Sequence, residues 1–201
     1  MIAVIDYDAG NIRSVEHALA ALGFEHIVTR DADVIRNAGK VILPGVGAFG
    51  DAMGRLDAYG LTEVIKEVTK AGKPFLGICL GLQLMFDESE ESPGVPGLSL
   101  LPGKIVRLPE GGGRKIPHIG WNDLSFPKES RLFKGIPEHS YVYFVHSFYL
   151  QADDPGVVAA TTEYGATVHA AVESGNLFAC QFHPEKSGDV GMAILKNFGS
   201  L

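Results

Sequence analysis

The seven residues Gly77-Ile78-Cys79-Leu80-Gly81-Leu82-Gln83 constrain the chain more than any other stretch. Ahead of them, Lys73-Pro74-Phe75-Leu76-Gly77-Ile78 is a short apolar run bounded by proline, which predicts a buried parallel strand. Behind them, Leu80, Leu82, Leu84, Met85 and Phe86 open an apolar segment rich in helix formers, which predicts a buried helix. Cys79 then falls on the strand-to-helix turn, with a glycine two residues to either side. That is the pattern of a nucleophile elbow with sulfur in place of a hydroxyl. A turn this tight has no room for Cβ atoms at the −2 and +2 positions. A helix starting at the thiol favours the thiolate, and the Leu80 N–H would point to where an oxyanion forms. A cysteine in an apolar run is also a good packing residue, so the assignment needs a base elsewhere in the chain.

Composition narrows what that site can serve. The chain has 201 residues, enough for a substantial core in one domain, with 46% hydrophobic and 20% charged residues. A formal net charge of −7 and a pI near 5.4 do not suit a nucleic-acid or anionic-membrane partner. Met1–Ile5 runs straight into Asp6, too short for a signal peptide, and no stretch approaches the roughly 18 apolar residues of a membrane span. Two cysteines far apart in sequence fit a reducing cytoplasm. Neither the cysteines nor the scattered histidines have metal-ligand spacing, and no cofactor motif is present.

In chain order, Ile2–Asp6 reads as a strand, Ile12, Val15, Leu19 and Leu22 as one helix face stopped by Gly23, Phe24–Val28 as a second strand and Lys40–Leu43 as a third. A helix over Leu61–Ala71 leads back to the elbow strand. This alternation predicts an α/β fold: a flavodoxin-like open mixed sheet with helices on both faces and ligands at the strands' carboxyl ends. Pro44–Gly50 is either a plain glycine-rich turn or a second oxyanion donor, because its glycines let a peptide plane turn its N–H toward a ligand. Asp87–Glu91 is a run of acids, either a solvated face or the source of one carboxylate for a substrate ammonium. Beyond the loop Ser92–Gly97, strands are predicted at Lys104–Leu108, Ile116–Phe126, Ser140–Leu150, Val157–Glu163, Val168–Glu173 and Leu177–His183, as extra antiparallel strands in the second half. A last helix is expected around Val190–Phe198.

The base comes at the end of the last of these strands, in Gln181-Phe182-His183-Pro184-Glu185. If that segment is extended, His183 and Glu185 project to one side, with Pro184 fixing the backbone between them. The carboxylate can then hold one imidazole nitrogen and leave the other for a thiol. Cys79, His183 and Glu185 form a coherent triad, all at strand ends.

Gly77-x-Cys79-x-Gly81-x-Gln83 together with Phe182-His183-Pro184-Glu185 resembles the class I, triad-type glutamine amidotransferases, and the likeness covers nearly the whole chain. Asp6-Tyr7 with Gly10-Asn11, Pro44–Gly50, Pro117-His118-Ile119-Gly120-Trp121-Asn122, Tyr143–Ser147 and Thr161–Tyr164 are similar to the glutaminase subunits of imidazole glycerol phosphate synthase. Ile119 departs from an expected methionine and Phe148 from a common tyrosine; neither touches the triad. The resemblance implies hydrolysis of glutamine through a γ-glutamyl thioester on Cys79, with His183 moving the proton and Glu185 orienting it. It implies an oxyanion site at Leu80, Val46 and Gly47, and a glutamine head group held by Gln83, Glu91, His146 and Ser147. It also implies a heterodimer with a (β/α)8-barrel cyclase that consumes the ammonia in histidine biosynthesis, faced by Asn11, Trp121, Asn122, Tyr143 and Lys186. A sister subunit serving pyridoxal phosphate synthesis would share the triad but lack the Trp121 and Tyr143 stretches. A free-standing γ-glutamyl thiol hydrolase would work unaided.

Overall fold

The computed structural model describes residues 1–201. Its first half follows the strand–helix alternation: β1 (Ile2–Ile5), α1 (Ile12–Ala21), β2 (His26–Thr29), α2 (Ala32–Asn37), β3 (Lys40–Leu43), α3 (Phe49–Ala58), α4 (Leu61–Lys70) and β4 (Phe75–Ile78). The elbow helix α5 (Leu80–Leu84) and the short strand β5 (Glu88–Ser89) follow. The second half holds β6 (Gly103–Arg107), β7 (His118–Asp123), β8 (Tyr141–His146), β9 (Phe148–Ala152), β10 (Val158–Glu163), β11 (Thr167–Ser174), β12 (Leu177–Cys180) and α6 (Gly188–Gly199).

Seven strands form the main sheet in the order β10-β11-β12-β4-β3-β1-β2. The five from β12 to β2 are parallel, while β11 and β10 add antiparallel pairings at one edge. Because strand side chains alternate, each strand feeds two cores. Ala3, Ile5, Val41, Leu43, Phe75 and Ala179 pack with α2, α3 and α4. Ile2, Val4, Ile42, Leu76, Ile78, Phe178 and Cys180 pack with α1 and α6 on the other face. Removing one such side chain, as in Phe75→Ala, should cost about 3–5 kcal/mol. Beside the sheet stand a three-stranded layer, β5-β6-β9, and a two-stranded ribbon, β7-β8. No helix is long and apolar enough to cross a membrane.

Several expectations change. The elbow helix is only five residues long. Its apolar continuation leaves the helix because Leu98, Ser99 and Leu100 donate their N–H groups to the carbonyls of Leu84, Phe86 and Met85. The extended run predicted over Ser140–Leu150 breaks at Ser147, where the chain leaves its pairing with β7 and joins β6. Helix α2 was not apparent in the sequence; the Asp31 side chain starts it by accepting from the N–H groups of Asp33 and Val34. Nor was α3, which takes Phe49 and Gly50 out of the glycine-rich loop. The last strand stops at Cys180, so the segment carrying His183 and Glu185 is not an extension of it.

Candidate active site

Strand β4 ends at the centre of the sheet, and Cys79 follows it with φ 54°, ψ −108°, a left-handed backbone that only a rigid surround sustains. The two glycines are required by contact. A Cβ at Gly77 would lie 2.7 Å from the Gly81 carbonyl oxygen and the Met85 sulfur, and one at Gly81 would run into the carbonyl of Leu43. The elbow is therefore wedged between β3 and the first turn of α5.

Register brings the base to the nucleophile. Strand β12 lies parallel to β4 with Cys180 beside Ile78, so the residues that follow β12 emerge next to Cys79. His183 is extended, and Pro184–Lys186 then forms a 3-10 turn. The same-side argument for an extended His-x-Glu thus fails, yet the turn achieves the contact: the Nδ1–H of His183 donates to Glu185 Oε1 at 2.8 Å. Both side chains are buried. Burial disfavours the imidazolium, but Cys79 and Glu185 outweigh it and push the His183 pKa up to about 9. Nε2 is left buried without a hydrogen bond of ordinary geometry, and Cys79 is the foremost of the groups raising that pKa. A thiol, an imidazole whose second nitrogen is held by a carboxylate, and no competing partner for Nε2 make a nucleophile–base pair suited to acyl transfer.

The cleft around them is about 290 Å³, lined by Val46, Gly47, Cys79, Leu80, Gln83, Glu91, Pro117, Val145, His146, Ser147, Phe148 and His183. All the residues expected in catalysis, oxyanion binding and head-group binding except Glu185, which stands behind His183, therefore share one cavity. A larger hollow near Lys128, Arg131 and Glu173 is lined by no cysteine or histidine. Three of these groups are already engaged within the chain. The Leu80 N–H does not face open space; it donates to the Gly45 carbonyl at 3.3 Å. One oxygen of Glu91 already accepts the Phe49 N–H at 2.8 Å, capping α3. The ring of His146 is fully used within the protein, Nδ1 donating to the Phe148 carbonyl at 2.9 Å and Nε2 accepting from Nδ1 of His118 at 3.0 Å. Burial lowers the pKa of both histidines to about 4, which keeps them neutral and this direction fixed.

Of the residues expected to face a partner, Trp121 is 55% exposed, on the outer face of the ribbon with Ile119 and Tyr141, and its ring meets that of Tyr143 edge-on at 6.1 Å. It is no core aromatic. The Tyr143 carbonyl accepts the His183 N–H at 3.0 Å, so this ribbon borders the catalytic segment. Lys186 is exposed on the turn after Glu185, Asn122 is tied to the Glu163 carbonyl, and Asn11 turns inward to Glu185. Three residues that the motifs contain but give no role make contacts at the site: Gln181, whose amide reaches the Cys79 sulfur; His118; and Tyr7, whose hydroxyl holds the Pro44 carbonyl at 2.8 Å. Only the strand register, which a single sequence does not display, points to the first.

Comparisons with known proteins show the family. The family model described as glutamine amidotransferase class-I matches residues 3–200. A protein of Moorella thermoacetica named imidazole glycerol phosphate synthase subunit HisH is 53% identical over 200 residues, covering 100% of this chain and 94% of that protein. One of the same name from Bacillus cereus is 54% identical over 198 residues, covering 98% and 93%. Among solved structures, one described as a glutamine amidotransferase covers both chains completely with a TM-score of 0.77 at 21% identity. The PurLQS structure from Thermotoga maritima covers 98% of this chain and 96% of that one with a TM-score of 0.74 at 24% identity. These two carry the fold alone, whereas the family model and the relatives carry more: the chain belongs to the class I glutamine amidotransferase family.

Proposed function

We propose that residues 1–201 act as one cytoplasmic amidotransferase domain that hydrolyses glutamine to glutamate and ammonia. It serves as the glutaminase subunit of imidazole glycerol phosphate synthase in histidine biosynthesis. The observation that carries the chemistry is the buried Cys79–His183–Glu185 arrangement, with the carboxylate 2.8 Å from the imidazole. The assignment to this synthase is supported by relatives of that name at about half identity over nearly their whole length.

The Cys79 thiolate attacks the side-chain amide carbon of glutamine, and the carbonyl oxygen takes up the charge. The C–N bond breaks as His183 gives its proton to the leaving ammonia. Water, deprotonated by the now neutral His183, attacks the thioester; the C–S bond breaks and sulfur recovers its electron pair. Glu185 keeps the imidazole oriented throughout and stabilises its charged form. Gln83, Ser147 and the free oxygen of Glu91 line the cleft where the amino-acid head group would lie. The ammonia passes to a cyclase with a (β/α)8 barrel, docked on the exposed ribbon at Trp121 and Tyr143 together with Lys186, which makes imidazole glycerol phosphate and aminoimidazole carboxamide ribonucleotide.

The test is glutamate release by the chain alone, with a candidate cyclase, and with the cyclase and its nucleotide. A subunit should be nearly idle alone and rise with each addition. Full activity in isolation would instead identify a free-standing glutaminase.

A further inference from the structure

The cleft contains two buried glutamines whose orientations are dictated by one backbone carbonyl. The amide of Gln83 lies 3.1 Å from the oxygen of Phe148. A carbonyl only accepts, so the Gln83 group facing it is the NH2. The other hydrogen of that nitrogen reaches Gln181 Oε1 at 3.0 Å. With the Gln181 oxygen engaged there, its nitrogen faces the Cys79 sulfur at 3.8 Å. His146 Nδ1 donates to the same Phe148 carbonyl, which fixes the oxygen from a second side. Flipping Gln83 would set its oxygen against the Phe148 carbonyl, and flipping Gln181 would set its NH2 against that of Gln83.

Gln181 is completely buried and Gln83 is 6% exposed. A buried N–H is costly when poorly partnered, and a neutral thiol is a weak acceptor, whereas a thiolate is a strong one. We propose that Gln181 is a further catalytic residue of the glutaminase reaction: its amide N–H donates to the Cys79 sulfur, stabilising the thiolate before attack and as the leaving group when the thioester breaks. Gln83 is the positioning residue that aims it. This rests on Cys79 being the nucleophile of the proposed reaction. The assignment adds no step; the electron pair returning to sulfur in deacylation meets a donor already in place.

The test is alkylation of Cys79 by iodoacetamide in the intact chain at neutral pH, in Gln181→Met and Gln83→Met, with Cys79→Ser as the blank and thermal unfolding as the check on folding. A hydrogen bond to a charged group corresponds to roughly 10- to 100-fold in thiolate population. About half of that, in logarithmic terms, is returned because a less stabilised thiolate is the better nucleophile. Gln181→Met should therefore alkylate about 3- to 10-fold more slowly and Gln83→Met slow in the same direction, with kcat for glutamine in the cyclase complex also reduced. If the two amides only hold the fold, their loss loosens the cleft and alkylation speeds up, which overturns the proposal, as does an unchanged rate in both variants. Should Gln181→Met fail to fold, Gln83→Met, which keeps Gln181, decides alone. Iodoacetamide needs no glutamine recognition, so slowed alkylation in a chain that shows no glutaminase activity even with cyclase and nucleotide would reject the proposed function and leave standing only the hydrogen bond from Gln181 to the Cys79 sulfur.

Discussion

Asn11 donates from Nδ2 to Oε1 of Glu185 at 2.5 Å, and that oxygen is the one that accepts the Nδ1–H of His183. The contact joins residues 174 positions apart. Asn11 reaches it from a left-handed turn, φ 74°, at the start of α1. The other Glu185 oxygen is buried without a partner, so Asn11 and His183 are all that hold this carboxylate. Asn11→Ala should lower kcat about tenfold with little change in KM, the size of one charge-assisted hydrogen bond. Asn11→Asp should do worse, since it sets a second carboxylate against Glu185. Parental kcat in both variants, measured in the complex with the cyclase, would show that Glu185 needs no second partner.

The triad roles separate by degree. Cys79→Ala should reduce glutamine hydrolysis by a factor on the order of 10⁴ or more, while synthesis from added ammonia survives because the cyclase does that chemistry. Cys180→Ala should do nothing comparable: that thiol is fully enclosed, and burial pushes its pKa well up. His183→Ala deletes the proton carrier, whereas Glu185→Gln keeps the shape beside Nδ1 and removes only the charge. The second should be the milder in kcat, and the reverse order would reject the assignment of roles.

Histidines shifted in opposite directions make stability depend on pH from both sides. His118 and His146, lowered to about 4 by burial, stay neutral in the folded chain while an unfolded histidine protonates near 6.5. Their contribution is complete above 6.5 and is lost as pH falls toward 4. His183, raised to about 9 by Cys79 and Glu185 against its burial, contributes fully below 6.5 and loses that contribution as pH rises toward 9. Each proton taken up or released on unfolding changes stability by about 1.4 kcal/mol per pH unit. Urea midpoints should therefore peak between these windows and fall on both sides. His118→Gln should flatten the acid limb, and a limb as steep as the parent's would remove His118 as its source.

Much of this was legible because the signals were local. Strands β1 and β4 are unbroken apolar runs, as is β3 after Lys40, and the elbow announces itself in Gly77 and Gly81, both forced by contact with neighbouring backbone. What escaped depends on partners distant in sequence. The strand-forming run Tyr141–Leu150 passes through Ser147 with no glycine or proline to mark a break, so only the change of neighbouring strand divides β8 from β9. Helix α2 buries a single side chain, Ile35, too few for a periodic signal, and α3 is diluted by Gly50 and Gly54. His183 and Glu185 were paired correctly by spacing but for the wrong backbone, since a turn and not a strand brings them together.

The Gly45–Val46 peptide lies between the two expected oxyanion donors. Its carbonyl accepts the Leu80 N–H, which withholds that donor from an oxyanion, and the Val46 N–H has no partner in the chain. The Tyr7 hydroxyl pins the preceding carbonyl, that of Pro44, which confines any rotation to the plane between residues 45 and 46. Turning that plane would withdraw the Gly45 oxygen, free Leu80 N–H and bring Val46 N–H in beside it. A substitution at Gly45 would not test this cleanly, because a Cβ there meets Leu80 Cβ at 3.0 Å, the Gly81 nitrogen at 3.2 Å and the Tyr7 hydroxyl. Val46→Pro does: it deletes the one N–H in question at a side chain that is 37% exposed. One missing oxyanion donor is worth about 10²–10³ in rate, so glutaminase activity with cyclase and nucleotide should fall by that factor. Activity in the idle enzyme, which does not use the donor, should change little, and cyclase affinity should hold. If the nucleotide stimulates the variant as strongly as the parent, the Val46 N–H is not the switched donor.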